Sequence, residues 1–233
     1  MCGRYFLAEL ADLYEEAFGA AFPSDWRRSW NITPGRPVVT LRRCAAGDPA
    51  ETAWMEWGML PPWATHPGAT GRQINARSES AAHKPMFRDA FRRRRCLIPA
   101  DGFYEWRRDV RPAQPFAVRC AAGQPIAFAG LWQRLRTASG QVVESCAILT
   151  EAASPATAAI HPRVPVMLDP ACWQAWLDPE TTEPARLQAA LRSLAPDALD
   201  VRAVGQRVSD PRHDDKACLA GAPEAVPAQG SLF

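Results

Sequence analysis

The stretch Cys96-Leu97-Ile98-Pro99-Ala100-Asp101-Gly102-Phe103-Tyr104-Glu105-Trp106 decides the fold class. It predicts two strands, 96–99 and 102–106, with Ala100-Asp101-Gly102 as the turn between them. Further apolar runs at 116–120 and 126–132 predict a hairpin around residues 121–124, and the run at 142–149 predicts another strand. Strands therefore follow one another here without alternating helices.

The flanking sequence supplies shorter elements on both sides of this stretch. Residues 30–35 form a turn-rich loop, and strands are expected at 38–41, 53–59 and 199–204. Helices are expected at 6–18, 170–177 and 183–194 from their apolar spacing and their caps. We therefore predict a single α+β domain, 1–208, with a mostly antiparallel sheet or barrel-like core and short flanking helices. Residues 209–233 are polar and rich in Ala and Pro, which predicts a loosely ordered tail.

Composition excludes several classes of protein. The chain has 233 residues, 47% of them hydrophobic, and a formal net charge of +2, too small to argue nucleic-acid binding by the whole surface. Its seven Cys and four His are scattered, so neither a disulfide scaffold nor a metal site is expected. No apolar run is long enough to span a membrane. We expect a reduced cytoplasmic protein without a cofactor, and most of the nine Trp in the core.

The N-terminal residues Cys2-Gly3-Arg4-Tyr5 suggest a specific chemistry. Once Met1 is removed, Cys2 carries a thiol and an α-amine on adjacent carbons, and both titrate near neutral pH. Such a 1,2-aminothiol condenses with an aldehyde to an imine, which the thiol closes to a thiazolidine. The alternative is an ordinary cysteine that happens to follow the first residue.

Three other stretches place polar residues in apolar or turn-rich surroundings: Asn75-Ala76-Arg77-Ser78-Glu79, the turn and strand 100–106, and Ile160-His161-Pro162-Arg163-Val164-Pro165. Together with Cys2-Gly3-Arg4-Tyr5, Trp57-Gly58-Met59-Leu60-Pro61-Pro62-Trp63 and residues 94–100, in this order, they resemble the SRAP family of abasic-site processing proteins. The resemblance extends from Cys2 to about Cys218. Its departures are local: a Met often stands in the family at the position of Val164, and an Asn at that of Ser154.

The resemblance implies a function and its residues. Cys2 would form a thiazolidine with the ring-opened aldehyde of an abasic site in single-stranded DNA, after autocatalytic removal of Met1. Asn75 matches the amide at the linkage, Glu105 the catalytic carboxylate, and His161 the proton carrier of sugar-ring opening or of an abasic-site lyase step.

The same resemblance suggests how DNA would be bound. Arg4 and Arg77, and with them Arg163, are expected to bind phosphates, because a planar guanidinium pairs two phosphate oxygens. Trp63 is expected to stack on a base, although a core position is equally compatible with its sequence context. The turn Asn31-Ile32-Thr33-Pro34-Gly35 is expected to line the same groove. We expect a monomer that associates with the nucleoid when DNA is damaged.

Two other classes of function remain open at this stage. One is an N-terminal-nucleophile or cysteine hydrolase, in which Cys2 attacks an amide and Glu105 or His161 acts as the base. The other is a binding module without catalysis, in which Cys2 is incidental. A covalent product with abasic DNA would separate these three possibilities.

Overall fold

The computed structural model describes residues 2–137 and 140–222. The strands of this part of the chain are β1 Tyr5–Leu7, β2 Ser29–Ile32, β3 Pro37–Arg42, β4 Glu51–Trp57, β5 Asn75–Arg77, β6 Arg95–Ala100, β7 Gly102–Arg107, β8 Gln114–Cys120, β9 Ile126–Arg136, β10 Val142–Ala152, β11 Arg163–Pro165 and β12 Leu199–Ala203. The helices are α1 Ala11–Phe18, α2 Ser78–Ala81, α3 Arg88–Arg93, α4 Pro155–Ala158, α5 Trp173–Leu177 and α6 Pro184–Ala189. None of these helices is long enough to cross a membrane.

The strands form an open sheet and a closed one. The open sheet has the order β12-β8-β7-β1-β2. The other contains β10-β4-β3-β6-β9, and β9 pairs again with β10, so these five strands close into a barrel. β5 and β11 extend β10 at its C-terminal end. Most pairings are antiparallel; β10 pairs in parallel with β4 and with β5. This confirms the predicted α+β fold with a barrel-like core.

Aromatic side chains join the sheet to the barrel. The ring of Tyr5 in β1 meets those of Trp57 in β4 and Phe128 in β9 edge to face, with centroids 5.3 and 5.7 Å apart. Phe6 points to the other face of the open sheet and packs there on Tyr104, Val204 and neighbouring apolar residues. Because successive side chains of a strand alternate between faces, β1 is buried on both sides.

The close packing of β7 depends on a glycine. A Cβ atom at Gly102 would lie 2.4 Å from the carbonyl oxygen of Val118 in the neighbouring strand and 2.6 Å from the ring of Phe6. No side chain fits in that space, so only glycine lets β1, β7 and β8 approach as they do.

Two local predictions were wrong. Residues 6 and 7 belong to β1 rather than to the first helix, which begins at Ala11, because burial on both faces overrides the helical spacing. Residues 30–32 of the expected loop 30–35 belong to the edge strand β2.

The expected hairpin between 116–120 and 126–132 does not form either. β8 pairs with β7 and β12, whereas β9 pairs with β6 and β10. The turn at 121–125 therefore carries the chain from the open sheet to the barrel. Period-2 patterning identifies strands but not their partners, which is why the sequence suggested the nearest pairing.

The segment expected to be a loose tail is described as far as residue 222. Residues 209–222 lie against the open sheet, and the side chain of Cys218 is fully buried. The carboxylate of Asp214 accepts hydrogen bonds from the backbone N–H groups of Trp30 and Asn31, at 2.6 and 2.9 Å. A polar side chain of this segment therefore pairs with backbone donors of the edge strand β2. The rest of the predicted tail, 223–233, lies outside the described residues.

Candidate active site

Cys2 lies ahead of β1 and is completely buried. Its Sγ is 3.7 Å from the carbonyl oxygen of Arg4, which also accepts a hydrogen bond from the N–H of Tyr104 in β7 at 2.9 Å. Burial raises the pKa of the Cys2 thiol, and the negative charge of Glu105 raises it further. Near neutral pH this thiol is therefore protonated.

Asn75 is the first residue of β5, which runs parallel to β10. Its side-chain Nδ2 donates to the carbonyl oxygen of Cys2 at 2.8 Å, so the amide holds the backbone of the residue expected to react. Asn75 Oδ1 is buried and accepts no hydrogen bond from the residues that the structure describes. A buried acceptor of this kind favours a donor group brought by a ligand or by a rearranged N-terminus.

Glu105 lies in β7 and is 3% exposed. Its Oε1 accepts a weak hydrogen bond from the N–H of Trp106, at 3.3 Å. The bond between Tyr104 N–H and Arg4 aligns β7 with residues 2–4, which explains why the charge of Glu105 acts on the Cys2 thiol. A cleft of about 360 Å³, lined by Gly3, Arg4, Glu105 and Trp106 among others, opens here to solvent.

His161 lies between α4 and β11, at the C-terminal end of β10. Its Nδ1 is 3.0 Å from the backbone nitrogen and 2.9 Å from the carbonyl oxygen of Arg163, so the backbone two residues further on orients the ring. Thr150 of β10 is paired with Arg77 on one side and with Pro165 on the other. The strand that carries Asn75 and the strand next to His161 therefore flank the same end of β10.

Arg163 is bound inside the protein. Its guanidinium makes a bidentate ion pair with Glu79, at 2.7 and 3.0 Å, and donates to the carbonyl oxygen of Thr150 at 2.6 Å. Hydrogen bonding to Arg163 lowers the pKa of Glu79. These contacts occupy Nη1 and Nη2 and tie β11 to α2. Binding of a DNA phosphate by Arg163 stays a prediction.

Arg4 is also held internally. Its Nη1 donates to Oδ1 of Asn31 at 2.8 Å and to the carbonyl oxygen of Val208 at 2.7 Å. The guanidinium carbon lies 5.6 Å from the ring centroid of Trp106. Arg4 therefore links the residues next to Cys2 to Asn31 and Val208, and its binding of a DNA phosphate stays a prediction.

Arg77 and Trp63 face solvent. Arg77 is the last residue of β5, two positions beyond Asn75, and its exposed guanidinium makes no hydrogen bond or ion pair with the described part of the chain. Trp63 is 64% exposed, the largest exposed fraction among the described large apolar side chains, so it is not a core residue. Both are available to a ligand on the surface.

Sequence reasoning missed Asp214, whose polar surroundings gave no signal, and expected only a groove-lining role for Asn31. The described residues contain no cluster of metal-ligating side chains. A cavity of about 680 Å³ lies near Trp30, Arg119 and Lys216, and none of the predicted site residues lines it.

The barrel and the open sheet bury Cys2, whose backbone carbonyl is held by the amide of Asn75 and whose thiol is subject to the charge of Glu105. The chain belongs to the SOS response associated peptidase (SRAP) family, whose model matches residues 1–211. It is 32% identical to the abasic site processing protein YoqW of Bacillus subtilis, over 92% of this chain and 96% of that protein. It is 30% identical to the abasic site processing protein YedK of Escherichia coli, over 77% and 81% of the two chains.

Solved structures show the same fold. A protein of Bordetella bronchiseptica superposes with a TM-score of 0.76 at 28% identity, covering 88% of this chain and 100% of that one. A protein of Bacteroides thetaiotaomicron superposes with a TM-score of 0.84 at 20% identity, covering 95% and 100%.

Proposed function

We propose that this protein processes abasic sites by binding single-stranded DNA and trapping the ring-opened aldehyde on Cys2. The observation that carries the proposal is the position of Cys2, whose backbone carbonyl is held by Asn75 and whose thiol is subject to the charge of Glu105. Family membership and the abasic-site processing relatives support the choice of DNA as the substrate.

The proposed chemistry begins at nitrogen. Removal of Met1 leaves the α-amine of Cys2 as a nucleophile, and its lone pair adds to the aldehyde carbon C1′ of the opened sugar. Loss of water gives the imine. The Cys2 sulfur then adds to the imine carbon while its proton passes to nitrogen, which closes the thiazolidine without any oxidant or further reactant. This order fits the raised pKa of the thiol, because a protonated thiol cannot lead the attack.

Each neighbouring residue has a defined part in this reaction. Glu105 takes the proton that the amine loses when it attacks, and serves as the acid or base when Met1 is cleaved. Asn75 keeps the Cys2 carbonyl in place and offers its unused Oδ1 to a hydroxyl or amine at the linkage. His161 moves a proton at the sugar ring oxygen, or at the carbon next to the imine in a lyase step.

DNA binding is proposed for the surface next to this site. Arg77 would bind a phosphate, and exposed Trp63 would stack on a base, an interaction worth about 1–3 kcal/mol in single-strand binders. Neither contact reads a base edge, so binding would tolerate any sequence and would weaken with salt.

A cysteine hydrolase acting on other substrates is the second candidate, favoured by the word peptidase in the family description. Such an enzyme needs a thiolate, which a lowered thiol pKa supplies. In this protein both burial and Glu105 raise that pKa. We therefore limit the proposed peptidase chemistry to removal of the protein's own Met1.

The decisive experiment uses the purified protein and single-stranded DNA with one abasic site. Wild-type protein is expected to give a band that survives denaturing electrophoresis. Two matched controls have the same sequence, one undamaged and one with its aldehyde reduced by borohydride beforehand, and neither should give the band. A band from the reduced DNA, or no band from the abasic DNA, would refute the proposal.

A further inference from the structure

The buried amide of Asn31 joins the two ends of the described chain. Its Oδ1 accepts from Arg4, and its Nδ2 donates to the carbonyl oxygens of Val208, Asp210 and His213, at 3.3, 3.2 and 2.6 Å. Asn31 is fully buried, and every polar atom of its side chain is satisfied in this way. One side chain therefore fixes both the residue two positions after Cys2 and the C-terminal segment.

Asp214 makes a second set of contacts between the C-terminal segment and the strand β2, which contains Asn31. Its carboxylate accepts from Ser29 Oγ at 2.8 Å, from the backbone N–H groups of Trp30 and Asn31, and from Arg36 Nη1 at 3.2 Å. These bonds fasten the segment 208–214 along the edge strand β2. Charge-assisted bonds of this kind are about twice as strong as neutral ones.

The position of residues 2–4 depends on these contacts, because the three residues precede β1 and belong to no strand. Their described hydrogen bonds are Asn75 to the Cys2 carbonyl, Tyr104 N–H to the Arg4 carbonyl, the Cys2 thiol to that same carbonyl, and the Arg4 side chain to Asn31 and Val208. Two of the anchors of this short stretch thus come from the Arg4 side chain.

We infer that Asn31, Asp214 and the segment 208–214 are positioning elements for the N-terminal nucleophile, which they act on through Arg4. The inference rests on the proposed function, since it assigns them to the alignment of Cys2 with Asn75 and Glu105. Asp214 and His213 lie beyond residue 211, where the family match ends. The site therefore includes a C-terminal part that the family match does not cover.

The test compares Asp214→Ala with Asp215→Ala, a matched control in the same segment whose carboxylate contacts Arg207 and the N–H of Ala217 instead. Backbone amide exchange is followed in peptides covering residues 2–7 and, as a reference, 126–136 in the barrel. Asp214→Ala is expected to speed exchange in 2–7 alone, and Asp215→Ala to leave it unchanged. In an Arg4→Ala background, Asp214→Ala should add nothing, because the link is already broken.

Reaction rates provide the second readout. At saturating abasic DNA, Asp214→Ala is expected to lower the maximal rate of adduct formation by between about ten- and a hundredfold, with the half-saturating DNA concentration unchanged. Equal exchange in both Asp variants, or faster exchange throughout the protein, would refute the positioning role. If Asp214→Ala does not fold, Asp214→Asn, which keeps the shape and loses the charge, takes its place.

The two proposals can fail separately. If wild-type protein forms no adduct, the proposed function is wrong, while exchange in residues 2–7 still decides whether Asp214 anchors them. If the adduct forms and Asp214→Ala matches Asp215→Ala in both readouts, only the positioning role is wrong.

Discussion

Cys2 is the second residue of the sequence, yet its side chain is completely buried in the fold. Its environment raises the thiol pKa, whereas reactive cysteines in enzymes have theirs lowered by cations or by helix N-termini. In the proposed mechanism the α-amine therefore makes the first nucleophilic attack and the sulfur closes the ring. The residue's reactivity is then controlled by the state of its own backbone nitrogen.

Replacing Cys2 by Ala is expected to abolish the stable adduct while leaving salt-sensitive binding to single-stranded DNA within about twofold, because Arg77 and Trp63 belong to other elements. Denaturing electrophoresis measures the adduct, and fluorescence anisotropy measures binding. Cys44→Ala, at an exposed cysteine, is the matched control and should behave as wild type. An adduct that persists in Cys2→Ala would contradict the thiazolidine mechanism.

Replacing Arg77 by Ala is expected to weaken binding to all sequences equally and to reduce the slope of log affinity against log salt by roughly 0.7 for one lost phosphate contact on a single strand. Anisotropy titrations at several salt concentrations give this slope. Arg136→Ala removes another exposed cation, at the C-terminal end of β9, and should change neither quantity. An unchanged slope in Arg77→Ala would assign Arg77 a structural role.

The four residues predicted to be catalytic lie in separate parts of the fold: Cys2 before β1, Asn75 in β5, Glu105 in β7 and His161 before β11. The contacts of Arg4 and Arg163 within the protein were not predicted, because a sequence shows a cation but not the carbonyls and carboxylates that fold against it. Their contacts with DNA phosphates stay predictions. Asp214 was not identified, since its role depends on backbone donors of an edge strand that was itself expected to be a loop.

The turn between β6 and β7 anchors the start of α1. The Asp101 carboxylate accepts from the backbone N–H of Ala8 at 2.6 Å and from the hydroxyl of Tyr14 at 2.8 Å. Burial raises the pKa of Asp101 from 3.8 to about 6, and these hydrogen bonds offset only part of that shift. Near pH 7 the Asp101 carboxyl is therefore ionised, and its burial in the charged form lowers the free energy of unfolding.

The sign of the resulting pH effect follows from the raised pKa. Below pH 3.8 both the folded and unfolded states carry a protonated Asp101, and between about 4 and 6 only the unfolded state loses the proton. Relative to the non-titrating variant Asp101→Asn, wild-type protein should therefore lose up to about 3 kcal/mol of unfolding free energy as the pH rises through this window. Urea denaturation of both proteins at several pH values gives the difference. A difference that is constant or grows with pH would mean that the carboxylate is stabilised in its charged form.

The order of the strands along the chain was largely predictable from the sequence, but the pairing of each strand with its neighbours was not. The strands 96–99, 102–106, 116–120, 126–132 and 142–149 all exist, close to the predicted limits. Their division between an open sheet and a barrel depends on side-chain packing between the two, which includes the Tyr5 contacts with Trp57 and Phe128. Such contacts join residues far apart in sequence, so a pattern read within short windows cannot show them.

On the scale of the whole molecule, the N-terminus must be free for the proposed reaction. An uncleavable peptide before Cys2 turns its α-amine into an amide, whose nitrogen cannot condense with an aldehyde. We expect the extended protein to fold and to bind DNA, and to form no stable adduct. Circular dichroism, anisotropy and denaturing electrophoresis measure the three properties. A second version carrying a protease site, cut so that Cys2 becomes the first residue, should regain the adduct; an adduct from the blocked form would show that the thiol acts alone.

The bond between Arg4 and Val208 spans 204 positions, and it has a consequence for biosynthesis. The ribosome makes Cys2 and Asn31 long before the segment 208–214, so the contacts between them form only after the intervening chain has been synthesised. Contacts this distant in sequence form late because the intervening loop must first be ordered. Until that segment has been made, a nascent chain lacks the contacts that, in the proposed mechanism, align Cys2, and the proposed reaction has to wait for them.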